Sequence, residues 1–147
     1  MTAAIRPILA SSCAKAATAA EARFRIDRPI GARSAIVVAL DADAAEIVDQ
    51  VAERPWRGAR FLQRPVESVD LENVDLVLMI ATGDADADGA AALARSCAER
   101  GIMTAGLILG ERDEVAAALS ALRPYARNLM VTTDEEDVAE VLTALRA

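Results

Sequence analysis

Residues 75–92, DLVLMIATGDADADGAAA, decide the fold of this chain. Asp75–Ala81 is a near-continuous apolar run of strand length, Gly83 opens a short polar loop, and Gly89 leads into an alanine-rich segment. An apolar run without alternation marks a strand covered on both faces, as in a parallel sheet flanked by helices. In such sheets a ligand sits in the loops just past the carboxyl ends of the strands. Here that loop carries Asp84, Asp86 and Asp88, where a phosphate-binding loop carries glycines and free amides.

The same strand–loop–helix unit recurs on either side. Ser34–Leu40 (SAIVVAL) reads as the first strand, and Ile47, Val48 and Val51 mark a helix over 44–53. Ala59–Gln63 is a second, shorter strand stopped by Pro65, and 67–73 is polar, a loop or one short helical turn. After the central unit, with its helix over 89–100 and the stop at Gly101, Ile102–Leu109 is the fourth strand. A helix is predicted over 112–122, and Asn128–Thr132 is the fifth strand. Thr133 and Glu136 have capping-box spacing, and Val138, Val141, Leu142 and Leu145 give the last helix its apolar stripe. Strands alternating with helices build a three-layer, Rossmann-like α/β domain: an open parallel sheet of about five strands with helices on both faces. The expected strand order is 2-1-3-4-5, which brings the loops at Asp41 and Asp84 together at the switch point. That domain spans 34–147, and residues 1–33 form an N-terminal basic arm or helix.

Charge and composition narrow the functions. The 147 residues carry a net charge of −7, unevenly spread. Residues 1–33 hold six basic side chains against Glu21 and Asp27, net +4, which leaves −11 for the rest. An acidic body is a poor surface for a nucleic-acid backbone, so no nucleic-acid partner is expected. The longest apolar runs are strand-sized and the N-terminal run is too short for a secretory signal, so no membrane span is expected. Cys13 and Cys97 form no CxxC pair, as in a reducing, cytoplasmic setting. The absence of histidine removes imidazole bases, Ser-His-Asp and Cys-His nucleophiles and histidine zinc sites.

The aspartate loop is the one motif with metal chemistry. Asp84-x-Asp86-x-Asp88-Gly89 matches the first half of a calcium-binding EF-hand loop. Its twelfth position, however, is Arg95 and a strand precedes it, which excludes an EF-hand proper. A looser Mg²⁺ or Ca²⁺ site would draw on Asp41, Asp43, Asp84, Asp86 and Asp88; the competing role is a solvated loop capping its helix. Two like charges ~6 Å apart repel by about 3 kcal/mol at an effective dielectric of 20, so a bare triphosphate would be rejected there. Arg54, Arg57, Arg60 and Arg64 flank Trp56, either as an anion-facing patch or as a surface turn with its indole tucked against the sheet.

Gly83-Asp-Ala-Asp-Ala-Asp-Gly89, Ala90 and Ala91, Gly101-Ile-Met-Thr-Ala105 and Leu122–Val131 (LRPYARNLMV) carry a resemblance. Over its C-terminal half the chain resembles a shortened nucleotide-binding domain of tubulin and its bacterial relative FtsZ. In that family a Gly/Thr-rich GGGTGTG loop lies between a strand and an alanine-rich helix. Only Gly83 and Gly89 match its cofactor-binding glycines, and Leu40-Asp41-Ala42-Asp43 replaces the family's first glycine-rich loop. The resemblance thus implies the scaffold without its phosphate loop, and micromolar GTP binding is not expected.

Two function classes follow. The first is a non-catalytic ligand-binding or assembly module, self-associating as a dimer through alanine-rich helix surfaces at 89–100 and 112–122. The alternative is a divalent-cation-dependent binder or enzyme acting through the aspartate cluster.

Overall fold

A computed structural model describes residues 31–62, 69–83 and 85–147. Residues 1–30 of the basic arm, with Cys13, residues 63–68, with Arg64 and Pro65, and Asp84 lie outside the described residues. Residues 31–147 form one compact unit. Its elements in chain order are β1 (Ala35–Ala39), α1 (Ala42–Ala52), β2 (Ala59–Leu62), β3 (Leu76–Ala81), α2 (Ala87–Glu99), β4 (Met103–Leu109), α3 (Ala116–Leu122), β5 (Asn128–Thr132) and α4 (Glu136–Ala144).

The five strands form one all-parallel sheet in the order β2-β1-β3-β4-β5, as the sequence predicts. Alternation along the strands explains why their sequences look uniformly apolar. Ala35, Val37 and Ala39 of β1, with Leu76, Leu78 and Ile80 of β3, point into one core under α1 and α4. Ile36 and Val38, with Val77, Met79 and Ala81, point into a second core under α2 and α3. Both β1 and β3 are buried throughout, so neither face tolerates polar residues. Ahead of β3, Leu71 and Val74 are buried in the core on the α2–α3 face.

Gly106 shows how tightly the second layer sits. A Cβ there would lie 2.6 Å from Leu129 Cδ1, so the bare backbone of β4 lets the β5 side chain lie flat on the sheet. At the far end of the domain, the Arg33 N–H donates to the Arg146 carbonyl at 2.7 Å, clasping the segment before β1 to the turn after α4.

Two local expectations are corrected. The helix expected over 112–122 starts at Ala116, because Glu111–Val115 closes as a turn in which Glu114 and Val115 N–H both donate to Glu111 O. The Thr133–Glu136 capping box does not form. Asp134 Oδ1 accepts from Glu136 N–H at 2.9 Å, and Thr132 Oγ1 accepts from Asp134 N–H and bonds Asp137. Asp134 and Thr132 therefore organise the turn, in a shorter loop than the box requires.

Of the alanine-rich faces, α2 and α3 bury Ala90, Ala94 and Ala118, and leave Ala92, Ala98, Ala116 and Ala117 exposed. The two edges of the sheet are unlike. Arg60 is the exposed side chain of β2, whereas β5 exposes Met130 (39%) and Val131 (44%).

Candidate functional site

The chain order fixes where a site is to be sought. In this topology β1 and β3 are neighbours whose following helices lie on opposite faces, so their loops part at the carboxyl ends. The loop after β1 holds Asp41 and the loop after β3 holds Thr82, Gly83 and Asp86.

These two loops meet, and they meet by bonding to each other. Asp41 is only 4% exposed and uses both carboxylate oxygens. Its Oδ1 accepts from Ala44 N–H at 2.8 Å, capping α1, and from Thr82 Oγ1 at 2.8 Å. Its Oδ2 accepts from Thr82 N–H at 2.6 Å. The Asp86 N–H then donates to the Leu40 carbonyl at 3.1 Å. Two parallel crossovers that would open a crevice are thus stitched together across the switch point. A carboxylate offers about four acceptor directions, and three at Asp41 are already taken by the protein.

Asp86 caps α2 in the same manner, its Oδ1 accepting from Gly89 N–H at 2.9 Å. Glycine at 89 makes that approach easy, since a Cβ would stand 2.5 Å from Asp86 Oδ2. A carboxylate there also favours the positive end of the helix. Asp43 and Asp88 are exposed in the first turns of α1 and α2. Gly83 is exposed, with open space beside it up to Glu114 O at 3.8 Å. Among the described residues, no three Cys, Asp or Glu side chains converge as a metal-binding set; Asp84 is outside them.

Thr82 was not singled out by sequence reasoning. The available signal was topological: in the order 2-1-3-4-5 the residue after β3 must face the residue after β1, and a hydroxyl there can serve a buried carboxylate.

The arginine-flanked tryptophan lies elsewhere, beside α4. Trp56 Nε1 donates to Val51 O at 2.8 Å and its ring tilts against Phe61, with centroids 6.2 Å apart. It packs half-buried against the α1–α4 core, while Arg54 reaches Glu136 at 2.7 Å. At the carboxyl ends of β4 and β5 a wide cleft of about 650 Å³ brings Arg112 and Arg123 near Thr133, with Glu111 on the same rim. Cys97 is buried in α2; burial raises its thiol pKa and Arg100 pulls the other way, so it stays protonated and unreactive near neutrality.

No protein-family model matches the chain, and no curated protein matches it in sequence. No helix among the described residues is long and apolar enough to cross a membrane.

Proposed function

We propose that this chain is a non-catalytic assembly module on a Rossmann-like scaffold of tubulin type that has lost its glycine-rich phosphate loop. It associates with a second copy of itself as a two-fold dimer. The observation that carries this is the β5 edge. Gly110 N–H donates to Thr132 O, so strand alternation turns the backbone groups of Leu129 and Val131 toward the open side. An edge with no partner strand among the described residues and with exposed Met130 and Val131 is a template for another strand. Antiparallel pairing about a two-fold axis would extend the sheet through both subunits and cover those side chains.

The switch point supports the same view. Its buried carboxylate and its cross-loop bond hold the protein together, where a nucleotide-binding domain keeps its donors for phosphate. Association through apolar side chains and backbone bonds is little affected by salt, whereas any contribution from the basic arm fades with it.

Sedimentation velocity at tens of micromolar, in low and high salt, tests the proposal. The expected result is a dimer that Val131→Lys converts to a monomer of unchanged circular dichroism, because an edge lysine blocks strand pairing. A wild-type monomer under all conditions overturns it.

A further inference from the structure

The amino end of β4, opposite the switch point, holds a cleft of different chemistry. It is a cavity of about 530 Å³ between the last turns of α2 and the segment joining α3 to β5. Volumes of this order accommodate small organic ligands. Ala94 and Ala98 of α2 supply a small-residue wall, Ile102 an apolar floor, and Tyr125 an aromatic side chain that is 37% exposed. The charged lining residues are Arg95 and Arg127, with no carboxylate among them.

In a domain as acidic as this one, two arginines lining one cavity without a carboxylate call for a reason. Serving the helix ends is the ordinary one, and other groups already do so. At the end of α2, Ser96 O accepts from Arg100 Nη1, Cys97 O from Arg100 and Ile102 N–H, and Ala98 O from Gly101 N–H. At the end of α3, Leu122 O accepts from Tyr125 and Ala126 N–H. Thr104, the buried hydroxyl of the lining, is bonded to Tyr125 O at 2.9 Å, which fixes the tyrosine's backbone over the cleft. The Arg54–Glu136 ion pair lies on the other face of the sheet.

We infer that the Arg95–Arg127 cleft binds a small organic anion with a flat apolar body. Its carboxylate, sulfonate or phosphate group pairs with the guanidiniums, and its body lies on Ala94, Ala98, Ile102 and Tyr125. Charge complementarity selects the anion, since a cation would meet two like charges and a neutral body would leave them unpaired. Arginine suits such a group because its planar fork donates two parallel bonds to an oxyanion. The site is formed within one copy of the chain.

The probe is 8-anilinonaphthalene-1-sulfonate, a flat aromatic sulfonate, compared with uncharged N-phenyl-1-naphthylamine, which has a similar ring body. Fluorescence titration of the full chain is expected to give saturable sulfonate binding in the micromolar range and at least about tenfold weaker binding of the uncharged amine. Arg95→Gln with Arg127→Gln removes both guanidiniums and should weaken the sulfonate by at least about tenfold, the lower bound set by a single charge-assisted contact. Both side chains lie at the surface, and an unchanged melting curve checks that the variant is folded. Amide chemical shifts on sulfonate addition should move at Ala94, Gly101, Thr104 and Tyr125. Equal binding by the double variant, equal binding of the uncharged amine, or shifts confined to Leu129–Thr132 would each overturn the assignment.

Discussion

The two ends of the sheet are finished in opposite ways. At the carboxyl ends of β1 and β3, Asp41 spends its carboxylate on Ala44 and Thr82, and Asp86 ties its own loop to Leu40. At the amino end of β4, the backbone and the Arg100 side chain close the helix ends, and Arg95 and Arg127 line a cavity. Both ends carry charge, but charge answered from within stabilises the fold, whereas charge left facing solvent is available to a ligand. Between β1 and β3, the position that α/β topology ordinarily assigns to ligands is bridged by the protein's own hydrogen bonds.

Removing the switch-point carboxylate should produce the largest effect. Asp41→Ala deletes a helix cap and leaves the Thr82 N–H without its acceptor, and is expected to cost about 3 kcal/mol. Asp41→Asn keeps an acceptor oxygen and should lose about half as much. Urea denaturation midpoints measure both; a loss below about 1 kcal/mol for the alanine variant would mean the stitch is ornamental to stability.

A smaller effect sharpens the account of Asp86. Asp86→Ala should cost about 1 kcal/mol by loss of the α2 cap. Gly89→Ala should be close to neutral, because the gain in helix propensity, about 1 kcal/mol, is offset by displacement of the Asp86 carboxylate. In the Gly89→Ala background, Asp86→Ala should then cost much less than it does alone. Additive losses in this double-mutant cycle would show that the two residues act separately.

The smallest effect lies outside both ends of the sheet. Arg54 and Glu136 are 47% and 70% exposed, so Arg54→Ala should change stability by no more than about 0.5 kcal/mol. A loss well beyond that would place the Trp56 side of the molecule beside the switch point as a structural determinant.

The sheet was legible because burial on both faces removes polar residues from whole strands. Residues 35–40, 76–81 and 103–109 are apolar with little interruption, and each proved to be an inner strand. Element ends were less legible. The start of α3 moved to Ala116 because the preceding turn satisfies its own N–H groups, a choice that propensity does not separate from a first helical turn. Thr133 and Glu136 had the right spacing for a cap, yet the side chain that bonds the Glu136 N–H belongs to Asp134. For the aspartates, local sequence offered two roles that look alike: a ligand set and helix caps both ask for carboxylates before a helix. Asp41 and Asp86 are seen to cap α1 and α2. The arginine cleft had no local signature, since Arg95 and Arg127 are distant in the chain and line one cavity only because α2 and the segment before β5 share one end of the sheet.

The clasp between Arg33 and Arg146 has a consequence of another kind. A domain whose incoming and outgoing strands of polypeptide leave from adjoining points can be spliced into a surface loop of a host protein without prying that loop apart. The same proximity lets a short peptide join residue 147 to residue 31, so that the order of the secondary structure can be rotated in the gene while the sheet keeps its neighbours. In engineering terms, residues 31–147 are a cassette.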